Sequence, residues 1–77
     1  MSIIETALRY DLDIECQPYR VEVSLYDSRL SETFTFAEEV NRRKDRRAAL
    51  VRCITRAAAK ARELEQKYGQ QENLDAS

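Results

Sequence analysis

The side chains able to do chemistry are few. The 77-residue chain has no histidine, which removes the commonest general base and the commonest metal ligand. Cys16 and Cys53 remain as candidate nucleophiles, with no imidazole to activate either. Both fall on or beside apolar faces of their segments, so both read as buried, inert thiols. A bridge between them is geometrically feasible but foreign to a reducing cytoplasm, the compartment that two cysteines without metal spacing suggest. Asp11, Asp13 and Glu15 share one strand face, with Glu22 across from them. Carboxylates in such numbers can hold Ca²⁺ or Mg²⁺, but a flat sheet face wraps a cation poorly, and a solvated acidic face is the expectation. The one glycine, Gly69, leaves no glycine-rich phosphate loop. Catalysis, a metal centre and a cofactor are therefore not expected.

The strongest signal is charge. Between Arg42 and Arg62 lie nine basic residues and one acidic residue, Asp45, a net +8. Residues 1–41 carry net −6 and residues 63–77 net −3, so the total of −1 hides a sharp segregation. Arg42, Arg43, Lys44, Arg46 and Arg47 form its densest part, with Arg52, Arg56, Lys60 and Arg62 following. Such a segment can sit on phosphates, gaining affinity by counterion release, or dock on an acidic protein surface. No aromatic interleaves with it for base stacking. Tyr26, read as outward-facing beside Arg20 and Ser24, adds a second candidate contact.

The elements that must position these groups follow from periodicity. Leu50, Ile54, Ala57, Ala61, Leu64 and Tyr68 recur at helical spacing, flanked by Val51, Cys53 and Ala58, and predict one long amphipathic helix. Gly69 then offers a left-handed cap. The start has two readings: a capping box from Thr35 to Glu38, or a later start at Asn41 or Asp45. Arg43, Arg46 and Arg47 fall near the apolar face, so this end should overhang the sheet or meet something else. Ahead of it, Ser2-Ile3-Ile4-Glu5 is a second capping box, and Ile3, Ile4, Ala7 and Leu8 line one face of a short helix, favoured over a strand through the same residues. Leu12, Ile14 and Cys16 alternate with acids as a half-buried strand, and Tyr19, Val21, Val23 and Leu25 alternate as the next. A Gln17-Pro18 loop would set Cys16 against Tyr19, Ile14 against Val21, Glu15 against Arg20 and Asp13 against Glu22. Asp27–Leu30 reads as a turn, and Glu32–Phe36 as a third strand with Phe34 and Phe36 inward.

The fold class expected is thus α+β: a two-layer sandwich of a short helix, a three-stranded antiparallel meander and a long C-terminal helix. Residues 1–69 form one domain and 70–77 a polar, disordered tail. A chain this short buries only about 60% of its unfolded surface, so a partner or a homodimer, with Ala57, Ala58 and Ala61 permitting close helix approach, would help it. No apolar run suits a membrane span, and no signal peptide is visible at the N-terminus.

The helix–three strands–helix layout resembles the double-stranded RNA-binding domain, whose last helix begins with a basic cluster that grips phosphates. Arg42, Arg43, Lys44, Arg46 and Arg47 are similar to it in place and kind; Gln17-Pro18 is unlike that family's minor-groove loop, and Ile3–Tyr10 lacks its contact residues. The chain is also similar in style to small accessory proteins of phages and mobile elements, anti-CRISPR inhibitors among them. That resemblance implies stoichiometric inhibition of a larger complex through surface charge. The expectation carried forward is a non-enzymatic interaction protein of the cytoplasm with an acidic partner, direct nucleic-acid binding and a structural homodimer being the alternatives.

Overall fold

The computed structural model describes residues 2–69. Helix α1 spans Ile3–Arg9, strands β1, β2 and β3 span Asp13–Gln17, Arg20–Asp27 and Glu32–Glu39, and helix α2 spans Arg46–Leu64. A 3₁₀ turn, Arg43–Asp45, leads into α2, and a π turn, Glu65–Gly69, ends it. The strands form an antiparallel sheet in the order β1-β2-β3, and α2 packs on β2 and β3. The expected α-β-β-β-α sandwich is the observed fold. No helix among the described residues is long and apolar enough to cross a membrane.

Local chemistry explains most boundaries. Ser2 caps α1, its hydroxyl accepting from the Glu5 amide at 3.1 Å, as the capping box requires. Asp27 closes the β2–β3 turn: its carboxylate accepts from the Arg29 amide at 2.8 Å and the Leu30 amide at 3.4 Å, an Asx-type turn. Pro18 and Tyr19 form the two-residue loop between β1 and β2.

The core lies between β2 and α2. Val21, Val23 and Leu25 are buried on one face of β2, alternating with Glu22, Ser24 and Tyr26 on the other. They meet Ala49, Cys53, Ile54, Ala57, Ala61 and Leu64 of α2. Phe34 and Phe36 of β3 pack inward against the same face, as expected.

Four expectations are corrected. The β1–β2 register is displaced by two residues: Ile14 pairs with Val23, Cys16 with Val21 and Glu15 with Glu22. A shift of two preserves parity, so the apolar residues still share a side. It removes the favourable Glu15–Arg20 pair, however, and sets two carboxylates opposite each other. Tyr19 consequently leaves the strand and is exposed in the turn. Second, the capping box at Thr35–Glu38 does not start a helix. Strand β3 runs on through both residues to Glu39, with the Thr35 hydroxyl 3.3 Å from that of Ser24 across the sheet. The helix takes the later start, with Asp45 as its N-cap. Third, β1 is exposed along its whole length. Ile14 is 44% exposed, and Cys16 is an exposed thiol rather than a core one. Helix α1 is seven residues, about 10 Å long, and it packs against α2. It buries Ala7 and leaves Ile4 and Leu8 70% and 76% exposed. Fourth, Gly69 lies inside the terminal π turn, and no glycine among the described residues has positive φ. Residues 70–77 lie outside the described residues.

Two tests follow from this packing. Ala57 faces β2 with no exposed surface, whereas Ala59 points to solvent. Ala57→Leu should destabilise by about 1–3 kcal/mol in urea unfolding through overpacking, with Ala59→Leu changing stability by less than about 0.5 kcal/mol. Burial also pushes the Cys53 thiol up from its ordinary value. Mass spectrometry of the native protein should therefore show Cys16 alkylated quickly and Cys53 only after unfolding; equal rates would contradict this packing.

Candidate interaction surface

The basic segment divides into two parts that behave differently. Halfway along α2, Arg52 and Arg56 are one turn apart and face the edge of β3, where Glu38 follows Phe34 and Phe36 on the inward side. Arg52 donates to both Glu38 oxygens through Nε, at 3.1 and 3.0 Å, and through Nη2 to Oε1 at 2.8 Å. Arg56 adds its Nη1 at 3.1 Å from Oε2. One carboxylate thus holds two guanidiniums and ties the helix to the sheet edge. The Arg52 hydrogen bond, with the charges of Arg52 and Arg56, holds the Glu38 carboxyl below its ordinary value, and the same contact raises the Arg52 guanidinium. Farther on, Lys60 stands 3.4 Å from Glu63 and 4.9 Å above the Phe34 ring.

The N-terminal part is different. Arg42 pairs with Asp45 at 3.1 Å, but Arg43, Lys44, Arg46 and Arg47 make no ion pair among the described residues. Arg46 bonds only to carbonyls: its Nε donates to Arg43 at 3.2 Å and its Nη1 to Gln17 at 3.4 Å, across to the end of β1. Of the two expectations for this end, overhanging the sheet or meeting something else, the second holds: it meets the Gln17 end of β1, and Ala49 in its first turn is buried in the core. The four side chains border a shallow depression with Cys16 and Leu50 at its apolar base. Cations at a helix N-terminus also meet the positive end of the macrodipole, each such placement costing about 0.3–1 kcal/mol at an exposed site. The cluster therefore opposes α2 rather than supporting it.

Of the residues singled out in the sequence, the structure brings Arg43, Lys44, Arg46 and Arg47 together with Arg42 beside them. It places Arg52, Arg56 and Lys60 farther along α2 in contacts of their own. Tyr26 is 60% exposed, but it lies on the sheet face opposite the helix and at the far end of β2, roughly 20 Å along the strand from Arg20. Sequence reasoning missed Glu38 as a counter-ion. Its signal was the parity that puts position 38 on the same side as Phe34 and Phe36, once the strand is carried past Phe36. It also missed Cys16 as surface, since it belongs to an apolar stripe; Leu50, packed against the core as expected, keeps one side on the depression. Among the described residues, no three carboxylate or thiol groups come together in a way that would hold a metal ion.

Because Glu38 has a depressed carboxyl value when folded, its contribution to stability is present above the unfolded value, near 4.3, and fades as pH falls through the folded one. Thermal melts should find the wild type more stable than Glu38→Gln at neutral pH, with the gap closing in acid below about pH 4. A gap that persists unchanged into strong acid would show that the carboxylate is not the tie.

Comparison with known proteins gives no match for this chain among family models, curated proteins or solved structures.

Proposed function

We propose that the chain is a non-enzymatic interaction protein that docks on an acidic protein surface through Arg43, Lys44, Arg46 and Arg47, with Arg42 at the margin. One observation carries this reading: four cations are gathered at the N-terminal end of α2, where they oppose the helix and meet no carboxylate among the described residues. Charges placed at a cost to folding are explained by what they bind. The apolar base of the depression, Cys16 and Leu50, favours a protein over a nucleic acid, because a phosphate backbone offers nothing to seat on it. The acidic outer face of the sheet, with Asp13, Glu15 and Glu22, would also repel a polyanion that extended past the cluster. Arg52 and Arg56 serve the fold, and Tyr26 lies too far away to share the surface. Binding of this kind is stoichiometric, and its consequence would be inhibition of a larger complex whose acidic surface normally receives something else. Two free thiols suit action in a reducing cytoplasm.

The test is affinity capture from lysate with three baits: the wild type, Arg43→Glu/Arg46→Glu/Arg47→Glu, and Arg52→Gln/Arg56→Gln. The wild type and the Arg52/Arg56 variant should retain the same protein after nuclease treatment and release it as salt shortens the Debye length below its value of about 10 Å at 0.1 M. The triple variant should retain none while keeping its native circular dichroism. Retention by the triple variant would overturn the assignment, and loss of the captured material on nuclease treatment would transfer it to nucleic acid.

A further inference from the structure

Strand β1 is anomalous for a sheet strand in a protein this small. Among the described residues it has a strand neighbour on one side only, and no residue of it is buried, although Ile14 and Cys16 face the same side as the buried Val23 and Val21 with which they pair. An edge strand ordinarily carries protection against added strands. Here the protective charges, Asp13 and Glu15, lie on the opposite, outer face. On the helix side the surface is apolar along Ile14 and Cys16 and becomes cationic at the Gln17 end, where Arg46 is hydrogen-bonded to the Gln17 carbonyl and Arg43 and Arg47 stand beside Cys16.

Resting on the function proposed above, we infer that the partner presents an extended acidic segment that adds to β1 as a fourth strand. Main-chain hydrogen bonds to the free edge supply affinity, and alternate side chains supply selectivity. The charge pattern sets the chemistry of the segment. On its helix-facing side it carries apolar residues beside Ile14, then carboxylates where the edge reaches Arg43, Arg46 and Arg47. On its other side, which meets Asp13 and Glu15, it is uncharged or basic. A second copy of β1 does not fit this pattern: antiparallel pairing of two β1 strands sets Asp13 and Glu15 of each against those of the other. The opposite edge is no rival, because there Glu38 has already drawn in Arg52 and Arg56.

The probe is the peptide Thr-Val-Thr-Val-Thr-Asp-Thr-Glu, with Thr-Val-Thr-Val-Thr-Lys-Thr-Lys as control, titrated into the isotope-labelled full chain. The acidic peptide should protect the Ile14 and Cys16 amides, which face the free edge, from hydrogen exchange and slow Cys16 alkylation several-fold, the buried Cys53 serving as the unreactive reference. The lysine peptide should do neither. Ile14→Lys, at a half-exposed site that need not disturb the core, should weaken both effects, as should Arg47→Glu. Chemical shifts confined to residues 43–47 with β1 unprotected would overturn strand addition while leaving the cationic docking surface standing. Absence of any binding would overturn it as well. Protection of β1 without peptide, accompanied by a dimer in sedimentation, would assign the edge to a second copy, and protection by an RNA duplex would assign the surface to nucleic acid.

Discussion

One geometric constraint governs the molecule: a single long helix has a sheet of three strands to cover. A helix with its side chains is about 10–12 Å across, and neighbouring strands lie about 4.8 Å apart, so one helix shelters roughly two strands. Here those strands are β2 and β3, and the alanines at positions 49, 57 and 61 let α2 lie close over them. The third strand is left to α1, which is too short and turns only Ala7 and, in part, Ile3 inward. The exposed flank is therefore a consequence of layer width, and the apolar residues on it are not errors of patterning.

The same constraint sorts the charges. A helix centred over β2 and β3 brings its middle turns to the edge of β3, where Glu38 can reach Arg52 and Arg56. Its first turn comes to the Gln17 end of β1, where Arg46 finds a carbonyl and, among the described residues, no carboxylate pairs with Arg43, Lys44, Arg46 or Arg47. Basic residues that look uniform in the chain are thereby divided, Arg52 and Arg56 tied to the sheet and Arg43, Lys44, Arg46 and Arg47 left without an ion pair among the described residues. That division, rather than the net +8, is what bears on binding. In the function proposed, a cationic rim adjoining an apolar floor would discriminate against partners that offer charge alone.

Much of this was legible in the chain. The order of elements followed from the switch between alternating and helical periods. The Ser2 box and the Asp27 turn announced themselves through side chains that hydrogen-bond locally. Parity alone put Val21, Val23 and Leu25 on one side whatever the register. The register itself was not legible, because pairing displaced by two residues keeps every apolar side chain on its face, and the turn residues Pro18 and Tyr19 decided it. Thr35 to Glu38 misled because a capping box and a strand end share residue types, and cross-strand pairing with β2 outweighed the local preference. Cys16 and Ile14 misled for a different reason: alternation shows which way a side chain points, and only the third dimension shows whether anything lies above it.

Every strand of the meander pairs with the strand next to it in sequence, through connections of two and four residues. The meander's contacts are local, but those of α2 with β2 and β3 are long-range, which sets the chain among mixed α/β domains, between helical bundles and all-β folds in folding rate. The short β1–β2 connection keeps β1 beside its own partner, so its pairing edge on that side is filled by a local contact. A strand held by so local a partner leaves one edge rather than two for another chain to find, which lessens the hazard of self-aggregation that an open edge carries.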